Sequence, residues 1–235
     1  MGGTLWQWGK QQLLSVFLSG SCSLCQRSSP AALCGACLKQ VRQCQLTNPV
    51  DEEYPDLVVI SWGRYEDSLR QVIGRFKYQG QRDLAQWLGT ELGQTWHHYQ
   101  KTMAIKARSP MALVPIPLHP AKFQQRGFNQ AELLAQWMNR RVQGVLIADG
   151  LQRVRATQAQ HSLNRQQRQQ NLAQAFQVNP QRLNRLRQTT VWLVDDIFTT
   201  GSTAQVAAQT LRRSGISVAG ICTVARALSL DTDAR

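Results

Sequence analysis

Short unbroken apolar runs alternate along the chain with stretches whose apolar residues recur at helical spacing. The runs are LVVISW at 57–62, MALVPIPLH at 111–119 (breaking at its prolines), VWLV at 191–194 and ISVAGICTVA at 216–225. Each has the length of a buried strand rather than of a helix. Between them, Leu69, Val72, Ile73 and Phe76 mark one helix face, which Gly80 ends. Leu84, Trp87, Leu88, Glu91, Leu92 and Trp96 mark a second, apolar at every position but Glu91. In RGFNQAELLAQWMNR, Asn129 is placed to cap a third helix, with Glu132 three residues on. Ala204, Ala207, Ala208 and Leu211 define a fourth, ended by Gly215. Strands alternating with helices predict an α/β fold, a mostly parallel sheet flanked by helices. Residues 150–190, rich in Gln and Arg and sparse in apolar positions, read as a long, partly mobile excursion from that sheet.

The N-terminal part departs from this pattern. Five of the six cysteines lie between 22 and 44, as Cys22-x-x-Cys25 and Cys34-x-x-Cys37, with Cys44 beyond them. A CxxC turn points two thiolates at one ion, and two such turns complete a tetrahedral zinc site. Gly35 suits the tight backbone of the second turn. So short a module has too little core to fold alone, so the metal would supply its folding energy. Four cysteine ligands leave no open position, which makes this zinc structural. Cys44 is read as a spectator and Cys222, within an apolar run, as a core residue. The polar, proline-bearing QLTNPVDEEYPD at 45–56 reads as a linker. The organisation is therefore an N-terminal helix at 1–20, a zinc module at 21–44, a linker at 45–56 and the main domain at 57–235.

The helix at 1–20 is expected to pack its Trp and Leu residues on the protein, with a peripheral membrane anchor as the alternative. Its apolar patch, LLSVFL at 13–18, is far short of the roughly 20 residues that span a bilayer. It also lacks the length and cleavage site of a signal peptide, so the expected location is cytoplasmic, where thiols stay reduced.

Charge adds a class of partner. Net charge is +13 over 235 residues. Residues 121–188 hold eleven Lys and Arg against Glu132 and Asp149 alone. A dispersed basic field belongs to a folded face and favours an anion: nucleic acid, a phosphorylated small molecule or an acidic membrane.

The sharpest chemistry sits at VWLVDDIFTTGST, 191–203. A buried strand delivers Asp195 and Asp196 to the carboxyl edge of the sheet, where parallel α/β sheets bind ligands. The loop Thr199–Thr200–Gly201–Ser202–Thr203 then opens a helix near Ala204. Helix N-terminal N–H groups suit a phosphate, Gly201 lets the backbone close round it, and the hydroxyls add donors. Carboxylates repel phosphate but suit vicinal ribose hydroxyls, or a metal bridging them. A ribose 5-phosphate fits the whole element.

LVDDIFTTGST resembles the phosphoribosyl pyrophosphate (PRPP) motif of type I phosphoribosyltransferases, with Phe198 where an aliphatic residue is usual. Together with the double CxxC, VPIPLH and RGFNQAELLA, it resembles the ComF/GntX family, competence- and DNA-utilisation-associated proteins of bacteria, from Cys22 to about Ala227. The resemblance implies a type I phosphoribosyltransferase-like domain. In it Asp195 and Asp196 hold the ribose hydroxyls, and Thr199, Thr200, Gly201, Ser202 and Thr203 hold the 5-phosphate. Pro115 and Ile116, within VPIP, take the place of the pyrophosphate loop. Residues 153–171 match the flexible catalytic loop, with Arg155, Thr157, Gln160, Arg168 and Asn171 at matching positions. From composition alone that segment is equally a solvated polar face. The cofactors implied are structural zinc and Mg²⁺ with PRPP.

The resulting expectation is a PRPP or ribose 5-phosphate binder serving the uptake or use of DNA. Asp195, Asp196, Arg155 and Arg168 would carry any transfer chemistry. His119 is a candidate base, with a structural role favoured. The alternative is a non-catalytic protein that uses the fold as a scaffold for single-stranded DNA, with Trp6, Trp8, Phe76, Phe123 and Phe128 near basic residues as stacking candidates. A third option is an adaptor in a DNA-uptake assembly.

Overall fold

The computed structural model describes residues 20–51, 54, 56–102, 110–142, 144–154 and 175–227. Its centre is a six-stranded sheet of order β1-β2-β8-β7-β3-β4. The strands are β1 (Val50–Asp51), β2 (Val58–Arg64), β3 (Met111–Pro115), β4 (Val145–Leu146), β7 (Thr190–Phe198) and β8 (Ser217–Arg226). Every pairing is parallel except that of β1 with β2. The four apolar runs became β2, β3, β7 and β8, so the fold class expected from the pattern is the one observed.

Both faces of the sheet are covered. One face carries α2 (Asp67–Tyr78), α3 (Leu84–Thr102) and α5 (Gln130–Val142). Their Leu69, Phe76, Leu88 and Leu134 share one core with Trp192 and Val194 of β7. Gly89 and Gly93 let α3 and α5 touch closely. A Cβ at 89 would stand 2.7 Å from the Leu134 carbonyl oxygen, and one at 93 would stand 2.9 Å from the Arg141 Cβ.

The other face carries α7 (Ser202–Arg213), the short α6 (Leu183–Arg187) and a two-stranded ribbon of β5 (Leu151–Arg153) and β6 (Phe176–Val178). Ala204, Ala207, Ala208 and Leu211 of α7 pack here on Val191 and Leu193. The ribbon and α6 fall within the segment read as an excursion, whose sparse apolar positions hid them. The remaining elements are α1 (Gly35–Arg42) and α4 (Pro120–Arg126).

The cysteine module is docked rather than free. Cys22, Leu33, Cys37 and Val41 belong to the same core as α2 and α3. Arg75 donates to the Leu24 carbonyl at 3.3 Å, and Arg42 pairs with Glu91 at 3.5 Å. The stretch read as a linker contributes β1 to the sheet edge. Residues 1–19, and with them Trp6, Trp8 and the expected N-terminal helix, lie outside the described residues.

Candidate functional site

Strand β3 stops pairing at Pro115, opposite Val194, whereas β8 follows β7 to Phe198. Asp195 and Asp196 are therefore strand residues, placed where β7 loses its β3 neighbour. Successive strand side chains point to opposite faces. Asp196, in step with Trp192 and Val194, turns toward the α2 layer. There the Lys77 ammonium stands 2.9 Å from its Oδ1, with the two side chains 14% and 11% exposed. Asp195, in step with Val191 and Leu193, turns toward the ribbon, where Arg153 lies near enough to favour its charge. One Asp195 oxygen also accepts the Asp196 backbone N–H at 2.8 Å.

Burial, and then the charge of Asp196, push the Asp195 carboxyl up to about 7, against the pull of the Asp196 N–H, Lys77 and Arg153. Arg153 is itself held below the usual arginine range by burial. Two acids flanked by two cations form a constellation of alternating sign at the sheet edge.

The hydroxyl-rich loop closes beside them. Gly201 has φ +70° and precedes the first residue of α7, which starts at Ser202, two residues before the expected Ala204. No side chain caps that helix start, so its free N–H groups remain for a ligand. The Thr200 and Ser202 hydroxyls lie 2.9 Å apart. Tyr54 lies over the loop: its hydroxyl donates to the Thr200 carbonyl, and its ring meets Phe198 edge-on at 4.8 Å. A Cβ at Gly201 would stand 2.5 Å from the Tyr54 ring.

The other nominated residues divide. Pro115 and Ile116 are buried, and the Ile116 N–H donates to the Val194 carbonyl at 2.9 Å. Asn129 caps α5 through the Ala131 N–H and also donates to the Ile116 carbonyl, so it braces the VPIP turn. His119 caps α4, its Nδ1 accepting from the Ala121 N–H at 3.2 Å, which is the structural role expected of it. Arg155, Thr157, Gln160, Arg168 and Asn171 lie outside the described residues. Phe76 and Phe128 are buried against each other, so neither can stack a base; Phe123 is exposed.

The cysteine cluster is compact. The sulfurs of Cys22, Cys25, Cys34 and Cys37 lie within 4.8 Å of one another. Cys25 and Cys34 are 3.7 Å apart, which matches the edge of a ZnS₄ tetrahedron, roughly 3.8 Å for Zn–S bonds near 2.3 Å. These four residues could therefore hold a metal ion. Burial opposes ionisation of Cys22, but backbone N–H groups of Cys25, Cys34 and Leu24 outweigh it and hold that thiol near 6. Burial and the neighbouring sulfurs push Cys37 up to about 12. Gly35 is not the tight turn expected of it. It is the first residue of α1, and a Cβ there would meet nothing, so the helix itself sets the second CxxC geometry. Cys44 lies outside the cluster, its thiol near the Glu66 carbonyl, and Cys222 is buried in the core.

No family model matches the chain. Over 229 residues it is 31% identical to Competence protein F of Haemophilus influenzae, covering 91% of this chain and 93% of that one. The chain belongs to the ComF family. It is 28% identical to DNA utilization protein YhgH of Escherichia coli, over 89% of this chain and 91% of that protein. Competence protein ComFC of Bacillus subtilis matches at 28% over 64% of this chain and 56% of its own length.

The motifs assigned no role to three residues of this ComF-family chain: Lys77, Arg153 and Tyr54. Lys77 had a signal. Leu69, Ile73 and Lys77 are four apart, so the lysine extends the buried stripe of α2 to the sheet edge. Arg153 stands first in the segment 153–171 matched to the catalytic loop, but it is the last residue of β5; Tyr54 had no signal, because it reaches the site through tertiary packing. Among the described residues no helix is long and apolar enough to cross a membrane.

Proposed function

We propose that this chain binds PRPP or a related ribose 5-phosphate at the carboxyl end of β7 and serves the uptake or use of DNA. The observation that carries the reading is the adjacency of the diacid, where β3 stops, to the uncapped start of α7 behind Gly201. Asp195 and Asp196 take the ribose hydroxyls. The 5-phosphate lies on the N–H groups and hydroxyls of Thr199 to Thr203. Mg²⁺ carried by the pyrophosphate would supply charge neutralisation there. If the group is transferred, pyrophosphate leaves with the C1–O bonding pair while an acceptor nucleophile forms the new bond at C1 and releases its proton to solvent, and the acids steady the cationic sugar between. The DNA role rests on the relatives named for competence and DNA utilization. Structural zinc at the four cysteines completes the reading.

The test is calorimetric titration of PRPP with Mg²⁺ into wild type and the Asp195→Asn/Asp196→Asn variant. Binding by wild type alone supports the reading. No binding by folded, zinc-loaded wild type overturns it.

A second reading, a single-stranded DNA surface, is favoured by one observation. Tyr78 and Phe123 are exposed, and the Arg126 guanidinium lies 4.9 Å from the Tyr78 ring centre. Aromatic faces beside arginine suit unpaired bases. This reading predicts salt-sensitive DNA binding that survives loss of both aspartates but not of Tyr78 and Phe123.

A further inference from the structure

Lys77 carries an inference that deepens the ribose-phosphate reading and rests on it. Its ammonium meets Asp196 Oδ1 at 2.9 Å with both side chains largely out of solvent. Buried ion pairs cost desolvation, and an apolar residue continuing the Leu69–Ile73 stripe would be cheaper at this position. Lys77 also lies in the last turn of α2, where the negative end of the helix favours a cation. The contact engages one carboxylate oxygen, which leaves the second for a hydroxyl donor. The Lys77 charge, and after it that of Arg153, also favours the ionised form of Asp195, so both acids lie in the field of fixed positive charge. Carboxylates attract a divalent ion, and a fixed ammonium 2.9 Å from one of them opposes that attraction.

We propose that Lys77 is the built-in cation of this site: it positions Asp196 for the ribose hydroxyls and keeps divalent metal off the diacid. Sugar recognition is then independent of metal, and a divalent ion travels only with the pyrophosphate of the ligand. Lys77 is a positioning residue, and Lys77→Arg preserves its charge at the same place.

The experiment uses zinc-loaded full chain with two probes, ribose 5-phosphate by calorimetry and Mn²⁺ by electron paramagnetic resonance. Wild type is expected to bind ribose 5-phosphate equally in Mg²⁺ and in a chelator that spares the zinc, and to leave Mn²⁺ free. Lys77→Met should weaken ribose 5-phosphate about tenfold, the worth of one charge-assisted hydrogen bond. It should also gain a Mn²⁺ site that Lys77→Met/Asp195→Asn/Asp196→Asn lacks, and Lys77→Arg should exclude Mn²⁺ again. A Mn²⁺ site in wild type that depends on the two aspartates overturns the proposal, and this arm stands even if Lys77→Met fails to fold. Lys77→Met behaving as wild type toward both probes overturns it too. Failure of wild type to bind ribose 5-phosphate or PRPP removes the ribose-phosphate reading and the sugar-positioning role. The Mn²⁺ result then decides alone whether Lys77 guards the diacid.

Discussion

The cysteine cluster and the β7 diacid site were both announced by short motifs, yet they are built in opposite ways. All four sulfurs of the cluster come from sixteen consecutive residues, Cys22 to Cys37, and the motif contains the whole donor set. The diacid motif contains half of its site. Lys77 comes from α2, Arg153 from the β5 ribbon and Tyr54 from the stretch before β2. A self-contained centre is readable from spacing, because its geometry follows from local turns. An assembled one is readable only as far as its own strand and loop.

The largest loss is expected at the cluster. Cys37→Ser removes a buried donor from a module that shares the core of α2 and α3. It is expected to abolish zinc binding by elemental analysis and to cost on the order of 5 kcal/mol of stability in a denaturant melt. Retention of one zinc per chain would show that the cluster is not the zinc ligand set. At the assembled site the corresponding loss is read in affinity. Asp195→Asn/Asp196→Asn should weaken PRPP about a hundredfold, as two charge-assisted hydrogen bonds are lost, while zinc content stays unchanged.

The Gly201 contact sharpens the picture. Gly201→Ala places a Cβ against Tyr54 at a backbone φ of +70°. It should cost about 2 kcal/mol, and Gly201→Ala in a Tyr54→Ala background only about 1 kcal/mol, because the clash is gone and the backbone strain remains. Equal costs in the two backgrounds would remove Tyr54 from the loop.

A pH slope is expected as well. Asp195 is held up to about 7 when folded, so the folded state keeps a proton that the unfolded chain releases nearer pH 4. Its contribution to stability is full below pH 4 and is lost as the pH rises through 7. Asp195→Asn should flatten this segment of the stability curve, and an unchanged slope would assign it to another group.

Particular residues show how far the chain could be read. The runs at 57–62, 111–119, 191–194 and 216–225 became strands because each was apolar on both faces. Strand β7 runs past its apolar run through both aspartates, since β8 pairs with it to Phe198 and overrides the polarity of the sequence. The ribbon of β5 and β6 was invisible because three-residue strands carry too little pattern. Asp195, Asp196 and the loop from Thr199 to Thr203 were legible as one element. Their cation neighbours were not, because alternation along β7 turns Asp196 to Lys77 of α2 and Asp195 toward the ribbon that carries Arg153.

The central claim is that the diacid reads ribose hydroxyls. It is tested most directly by titrating wild type with ribose 5-phosphate and with 2-deoxyribose 5-phosphate under the same conditions. A carboxylate that accepts from the ribose hydroxyls predicts that removal of the 2-hydroxyl costs about tenfold or more in affinity. Equal binding of the two sugars would contradict the account, because the phosphate loop alone would then be doing the recognition.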